Sequence, residues 1–258
     1  RGQCLTCHSS HGSDEPGMVR RAGSALCLSC HDAKKATIVA AHPGMDFATV
    51  HCTSCHDPHV QPKGAKGLLL PARHLPFSRG DCTSCHTSRG SASLKKSGAE
   101  LCESCHPKGG WTGRKFTHAP VTGKDQCLSC HGPHGGVAEP SLKLAGDALC
   151  LSCHDSRPFQ GSVQHAALKR GCTACHDPHG SNARMLMKEP SIADQCRKCH
   201  ADLSKHLHPV TSDKPTPDGT PLTCTSCHDP HSAEHEGLLR FDGKRDLCVQ
   251  CHETSMTK

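Results

Sequence analysis

The 258-residue chain has no tyrosine, one tryptophan (Trp111) and five phenylalanines: Phe47, Phe77, Phe116, Phe159 and Phe241. That is too little bulky side chain to fill a conventional core. It also leaves few rings on which bases could stack, so no nucleic-acid partner is expected. Long apolar runs are missing too. Runs such as Gly67 to Leu70 are far short of a bilayer-crossing helix, so no membrane span is expected.

Cysteine and histidine are what the chain has in excess, with 22 and 24 residues respectively. Every cysteine falls into a C-x-x-C pair: Cys4 and Cys7, Cys27 and Cys30, Cys52 and Cys55, Cys82 and Cys85, Cys102 and Cys105, Cys127 and Cys130, Cys150 and Cys153, Cys172 and Cys175, Cys196 and Cys199, Cys224 and Cys227, Cys248 and Cys251. Each pair is followed at once by histidine: His8, His31, His56, His86, His106, His131, His154, His176, His200, His228 and His252. Zinc half-sites, redox dithiols and disulfide frameworks do not require that histidine. At this histidine frequency eleven chance repetitions have a probability on the order of 10⁻¹¹. The motif is that of covalent c-type haem, in which two thiols bond the vinyl groups and the histidine ligates iron from one side.

Eleven haems would leave about 23 residues for each, so the haems must serve as the core and no separate catalytic domain fits. A chain without them is expected to be disordered. They also change the charge. The polypeptide carries +6, but 22 propionates and one positive charge per ferric core bring the total to roughly −5 oxidised and roughly −16 reduced. The basic residues then read as counter-charges rather than as a patch for an acidic partner. Because covalent haem attachment belongs outside the cytoplasm, an export signal is expected to have been removed ahead of Arg1, and the destination is periplasmic or extracellular.

Two motif types recur. The first adds a histidine three residues after the proximal one, as in "CTSCHDPH", giving His11, His59, His134, His179 and His231. The second lacks it and follows a short helical-looking lead such as "GSALCLSCH", 23 or 24 residues later, at Cys27, Cys150, Cys196 and Cys248. An apolar pair lies between the two, such as Leu68-Leu69, Met185-Leu186 or Leu238-Leu239, which reads as packing on a porphyrin face. The third motif has no second-type partner, and the fourth, "CTSCHTSRG", has Arg89 where the extra histidine would stand. Arg89 reads as a propionate contact or a surface residue.

The layout resembles the doubled C-x-x-C-H modules of bacterial and archaeal multihaem c-type cytochromes, over nearly the whole chain. It resembles extracellular cytochrome nanowire subunits and periplasmic multihaem electron carriers. The expected architecture is mostly irregular, with short α-helices and essentially no β-sheet: an elongated, haem-cored single domain over 1–258. Its modules would be 1–41 (haems 1 and 2), 42–72 (haem 3), 73–116 (haems 4 and 5), 117–160 (haems 6 and 7), 161–204 (haems 8 and 9) and 205–258 (haems 10 and 11). Longer loops are expected at Pro107 to Lys115 and Pro209 to Pro221.

Thirteen histidines remain as second axial ligands for eleven irons. Five are the extra histidines, and a second set lies upstream of first-type motifs: His42, His74, His118, His165 and one of His206 or His208. The eleventh comes from His51, the other of His206 and His208, His235, or a neighbouring molecule. His59 leaves its motif through Pro58, about 10 Å or less from His56, and is expected to ligate an adjacent haem rather than its own. Met18, Met45, Met185, Met187 and Met256 read as packing residues, since histidine is in surplus.

The expected function is electron transfer through closely spaced bis-histidine haems, without catalysis. There is no C-x-x-C-K site, no tyrosine to cross-link a haem, and no histidine shortage to leave an iron open. The expected setting is a subunit of an extracellular filament joined head to tail, with His235 completing ligation in the next copy. A soluble periplasmic shuttle or porin-associated conduit is the alternative. The partners are redox proteins or an extracellular acceptor.

Overall fold

The computed structural model describes residues 4–59, 67–106, 113–202 and 215–252, and no helix among them exceeds six residues. With 24 glycines and 18 prolines in the chain, apolar periodicity is interrupted before a helix can propagate, and segments this short are not stable on their own. Each motif nevertheless makes one tight turn. The amide of every proximal histidine donates to the carbonyl of its first cysteine, at 2.8 to 3.1 Å, from His8 to Cys4 through His252 to Cys248. That single bond gathers both thiols and the imidazole at one end of the turn.

The two motif types reach this turn differently. Second-type motifs sit at the ends of short α-helices, Gly23–Leu28, Gly98–Glu103, Asp147–Leu151, Ile192–Arg197 and Asp246–Val249. Most first-type motifs are 3₁₀ turns, as at Cys52–Ser54, Cys82–Ser84 and Cys172–Ala174. The start of a second-type helix clasps the next motif. Ala99 donates its amide to the Gln126 side chain, and the Cys172 amide donates to Asp147 Oδ1 at 3.0 Å.

Sheet is confined to two-residue strands: β1 (Ala72–Arg73), β2 (Phe116–Thr117), β3 (Gly135–Gly136), β4 (Val163–Gln164), β5 (Gly180–Ser181) and β6 (Ser232–Ala233). They pair antiparallel as β1 with β3, β2 with β5 and β4 with β6. Each ladder ties the segment entering one first-type motif to the segment leaving the next. Glycine is needed at the crossing, because a Cβ on Gly136 would strike the Leu142 carbonyl.

Among the described residues the polypeptide by itself assembles no hydrophobic core. Ala72 and Ala183 are the only buried apolar residues among those described, and no large side chain is fully buried. Leu5, Leu75, Leu94, Leu128 and Leu151 are exposed instead.

The chain forms two compact units, residues 1–106 with 125–145, and 107–124 with 146–258. The first holds motifs one to six and the β1–β3 ladder. The second holds motifs seven to eleven and the other two ladders. Trp111, His206, His208, Met256, most of the first expected long loop and part of the second lie outside the described residues. The described end of the second loop turns back on itself, with Thr216 donating its amide to the Thr220 carbonyl at 2.7 Å.

Candidate functional site

The ladders carry histidines. His74 follows β1 and His134 precedes β3, and the amide of His74 donates to the carbonyl of His134 at 3.2 Å. The same bond joins His118 to His179 at 3.4 Å and His165 to His231 at 3.0 Å. Each ladder therefore brings an upstream histidine and an extra histidine onto adjacent strand ends, although they are far apart in sequence.

These histidines face proximal ones. His59 faces His8, with ring centres 5.8 Å apart and planes 22° apart. His134 faces His86 at 5.9 Å and 19°, and His231 faces His176 at 6.1 Å and 28°. From the upstream set, His74 faces His106 (5.9 Å, 24°), His118 faces His154 (5.9 Å, 18°) and His165 faces His200 (6.0 Å, 25°). His42 pairs with His56 at 5.9 Å, more steeply tilted at 52°. Two imidazoles bound to one metal through nitrogens about 2.0 Å from it have ring centres roughly 6 Å apart. All seven spacings fit such a group.

Of the extra histidines, His59, His134 and His231 thus face first-type motifs, whereas His74, His118 and His165 face second-type ones. His11, His31, His51 and His235 face no other histidine among the described residues. His51 lies instead beside Gly23, whose Cβ would come within 3.3 Å of its Nδ1.

Nδ1 is engaged on the far side of most rings. His8 donates from Nδ1 to the Gly17 carbonyl (2.8 Å), His131 to Pro140 (2.9 Å), His176 to Met185 (2.8 Å) and His228 to Gly237 (2.7 Å). His56 does the same with Gly67. His42 donates to Ile38 (2.9 Å), His74 to Pro133 (3.0 Å), His118 to Pro178 (2.8 Å) and His165 to Pro230 (2.9 Å). A carbonyl can only accept, so the proton is on Nδ1 and the lone pair of Nε2 is free for a metal. Burial also pushes His134 and His231 below the usual histidine range, favouring the neutral, ligating form.

The carbonyls that serve the first-type histidines were not legible as site groups. Each precedes a residue held at positive φ: Met18 (55°), Leu68 (54°), Ser141 (54°), Leu186 (55°) and Leu238 (59°). A non-glycine residue in this region costs about 1–3 kcal/mol, and such strain concentrates at functional turns. Of the apolar pairs between motifs, Leu68 and Met185 are 37% and 75% exposed, while Leu69 and Leu239 bridge to proximal histidines, as does Met187 just after the Met185-Leu186 pair. Arg89 donates to the Gly80 carbonyl at 2.9 Å.

Thiols of successive motifs meet as well. Cys27 lies against Cys52, Cys102 against Cys127, Cys150 against Cys172 and Cys196 against Cys224. Burial, reinforced by the neighbouring thiol, pushes Cys102 and Cys196 up to about 11. Cys172 is pushed up to about 12 by burial, then by Asp147 and Cys150.

The doubled CXXCH motif profile matches five stretches, 1–36, 74–110, 118–158, 165–205 and 209–257. The chain belongs to that family. Its doubled motifs mark covalently bound c-type haems, and the match to 74–110 takes in the fourth motif despite Arg89. The third motif lies outside all five stretches, as its missing second-type partner implies. The chain is also 30% identical to the multihaem cytochrome MtrA of Shewanella baltica (strain OS185), over 55% of this chain and 51% of that protein. It therefore spans about half the length of that relative. Among the described residues no helix is long and apolar enough to cross a membrane.

Proposed function

We propose that this member of the family carries eleven c-type haems, one at each C-x-x-C-H, and passes electrons along them rather than catalysing a reaction. The facing histidine pairs carry this reading. Seven irons would each be held between a proximal and a distant histidine, with no coordination position left open for a substrate. Bound haem supplies one-electron chemistry.

The residues of the chain supply placement. Touching thiols such as Cys102 and Cys127 would bond neighbouring haems, so the chain would keep consecutive cofactors close together. His59, His134 and His231 lie three residues beyond the proximal histidine of one motif and face the proximal histidine of another. Each would lock two haems together through a short piece of backbone. Nδ1 bonds to carbonyls orient the rings, and the polypeptide wraps the haems as their only interior.

The finer proposal is an exported, extracellular filament in which copies stack head to tail, with His235 of one copy completing the iron at His31 of the next. What supports it is that both histidines lack a facing partner among the described residues, and that a head-to-tail contact that does not close gives an open polymer. Negative-stain electron microscopy of the holoprotein beside size-exclusion chromatography tests it. Fibres with a regular axial repeat, lost in His235→Ala together with the appearance of one high-spin haem, are expected. A monomeric peak without fibres replaces the filament by a shuttle or a porin-associated conduit. Rapid stoichiometric carbon monoxide binding by the reduced wild type would overturn the fully ligated, non-catalytic reading.

A further inference from the structure

The seven histidine pairs are not equivalent. In six of them at least one ring donates from Nδ1 to a backbone carbonyl: His8, His42 and His56 together, His74, His118, His165 and His176. The seventh, His86 with His134, has none. His86 Nδ1 is a buried nitrogen with no hydrogen-bond partner among the described residues.

The cause lies in the loop after the fourth motif. His86 bridges to Leu94, eight residues on, whereas His8, His131, His176 and His228 bridge to a residue eleven on, and His56 to one thirteen on. The shortened loop closes through the Thr87 amide and the Ser93 carbonyl at 3.0 Å. It has no positive-φ residue matching Met18 or Leu238, so no carbonyl is turned toward the ring.

His134 is deprived independently. In the other first-type motifs that supply a facing histidine, a carboxylate stands two residues before it. Asp57 Oδ1 lies 4.0 Å from His59 Nδ1, and Asp229 Oδ1 lies 3.9 Å from His231 Nδ1. Gly132 occupies that position before His134, and a Cβ there would strike the Gly135 carbonyl, so the local backbone excludes aspartate.

A hydrogen bond from Nδ1–H to a carbonyl or carboxylate pushes electron density onto Nε2, strengthening the ligand and favouring the ferric state. Removing it weakens the donor, and burial of the ring disfavours the positive ferric core in the same sense. We propose that the haem at Cys82 and Cys85, held by His86 and His134, has the highest reduction potential of the haems this chain carries and is where an electron is held in preference to its neighbours. This rests on the axial pairing of His86 with His134 proposed above.

The test is potentiometric titration of the holoprotein, monitored by electron paramagnetic resonance. One low-spin haem should be reduced ahead of the rest, its reduction equilibrium at least tenfold more favourable, about 59 mV for a one-electron couple. Lengthening the 87–93 loop by three residues, with glycine placed as Gly17 and Gly237 are in their loops, should return that haem to the main group. Asp229→Asn keeps the oxygen that accepts the His231 amide (3.0 Å) but removes the charge beside Nδ1, and should raise the potential of one other haem. A wild-type titration with no separate early component overturns the inference even if the loop variant does not fold. An early component unmoved by the longer loop overturns it too. A shift-free Asp229→Asn removes the His134 half of the argument. A high-spin signal in the untreated protein would instead indict the ligand pairing, so the two failures are distinguishable.

Discussion

A carbonyl oxygen can only accept a hydrogen bond, and that places a proton on Nδ1 of nine imidazoles in this protein: His8, His42, His56, His74, His118, His131, His165, His176 and His228. For His8, His56, His131, His176 and His228 the residue that does the aiming is a neighbour strained into positive φ, such as Leu238, not the histidine. At this scale the consequence of removing a single ring is specific. His59→Ala deletes the partner of His8 and leaves His56 untouched. Haem content is expected to be unchanged, while one haem turns high-spin and binds carbon monoxide when reduced. Electron paramagnetic resonance and a carbon monoxide difference spectrum check this, and an entirely low-spin variant would disprove the pairing.

Short elements gain their importance from where they cross. β1 and β3 contribute two residues each, yet they decide that His74 and His134 leave the ladder together and face His106 and His86. Gly136→Ala forces a methyl against the Leu142 carbonyl and should open this crossing. Overpacking of this kind costs about 1–3 kcal/mol. A lower midpoint in guanidinium unfolding followed in the Soret band is expected, with the haems at Cys82 and Cys102 the first to lose low-spin character. The helix leads before second-type motifs were legible from strings such as "GSALCLSCH", because a turn of helix is a local matter. The ladders were not. Their strands, Gly135–Gly136 or Gly180–Ser181, have no alternating apolar pattern and exist only because a partner some 60 residues away supplies hydrogen bonds.

For the molecule as a whole, the missing core is the governing fact. With Ala72 and Ala183 the only buried apolar residues among those described, burial of the polypeptide alone cannot offset the entropy of ordering the chain. Protein produced without haem attachment is expected to show no cooperative unfolding and a collapsed amide dispersion by nuclear magnetic resonance. A cooperatively folding apoprotein would contradict the account. In the holoprotein, coulometric reduction is expected to take up eleven electrons per chain, against a haem content measured independently as the pyridine haemochrome.

Composition and spacing alone determined the cofactor chemistry and pointed to the eleven motif histidines, because C-x-x-C-H encloses two thiols and an imidazole within one turn of backbone. They also determined that helices would be short and sheet minimal, since glycine, proline and the motifs themselves interrupt every run. Tertiary structure decided which distant histidine meets which motif. His8 and His59, or His86 and His134, are brought together by chain crossings whose signal is spread over many weak backbone contacts rather than carried by any residue type. It also decided where the orienting carbonyls point. That depends on loop length and on the strained φ that follows each carbonyl, which the recurring Gly17-Met18, Gly67-Leu68 and Gly237-Leu238 pairs hint at but which only the folded turn reveals.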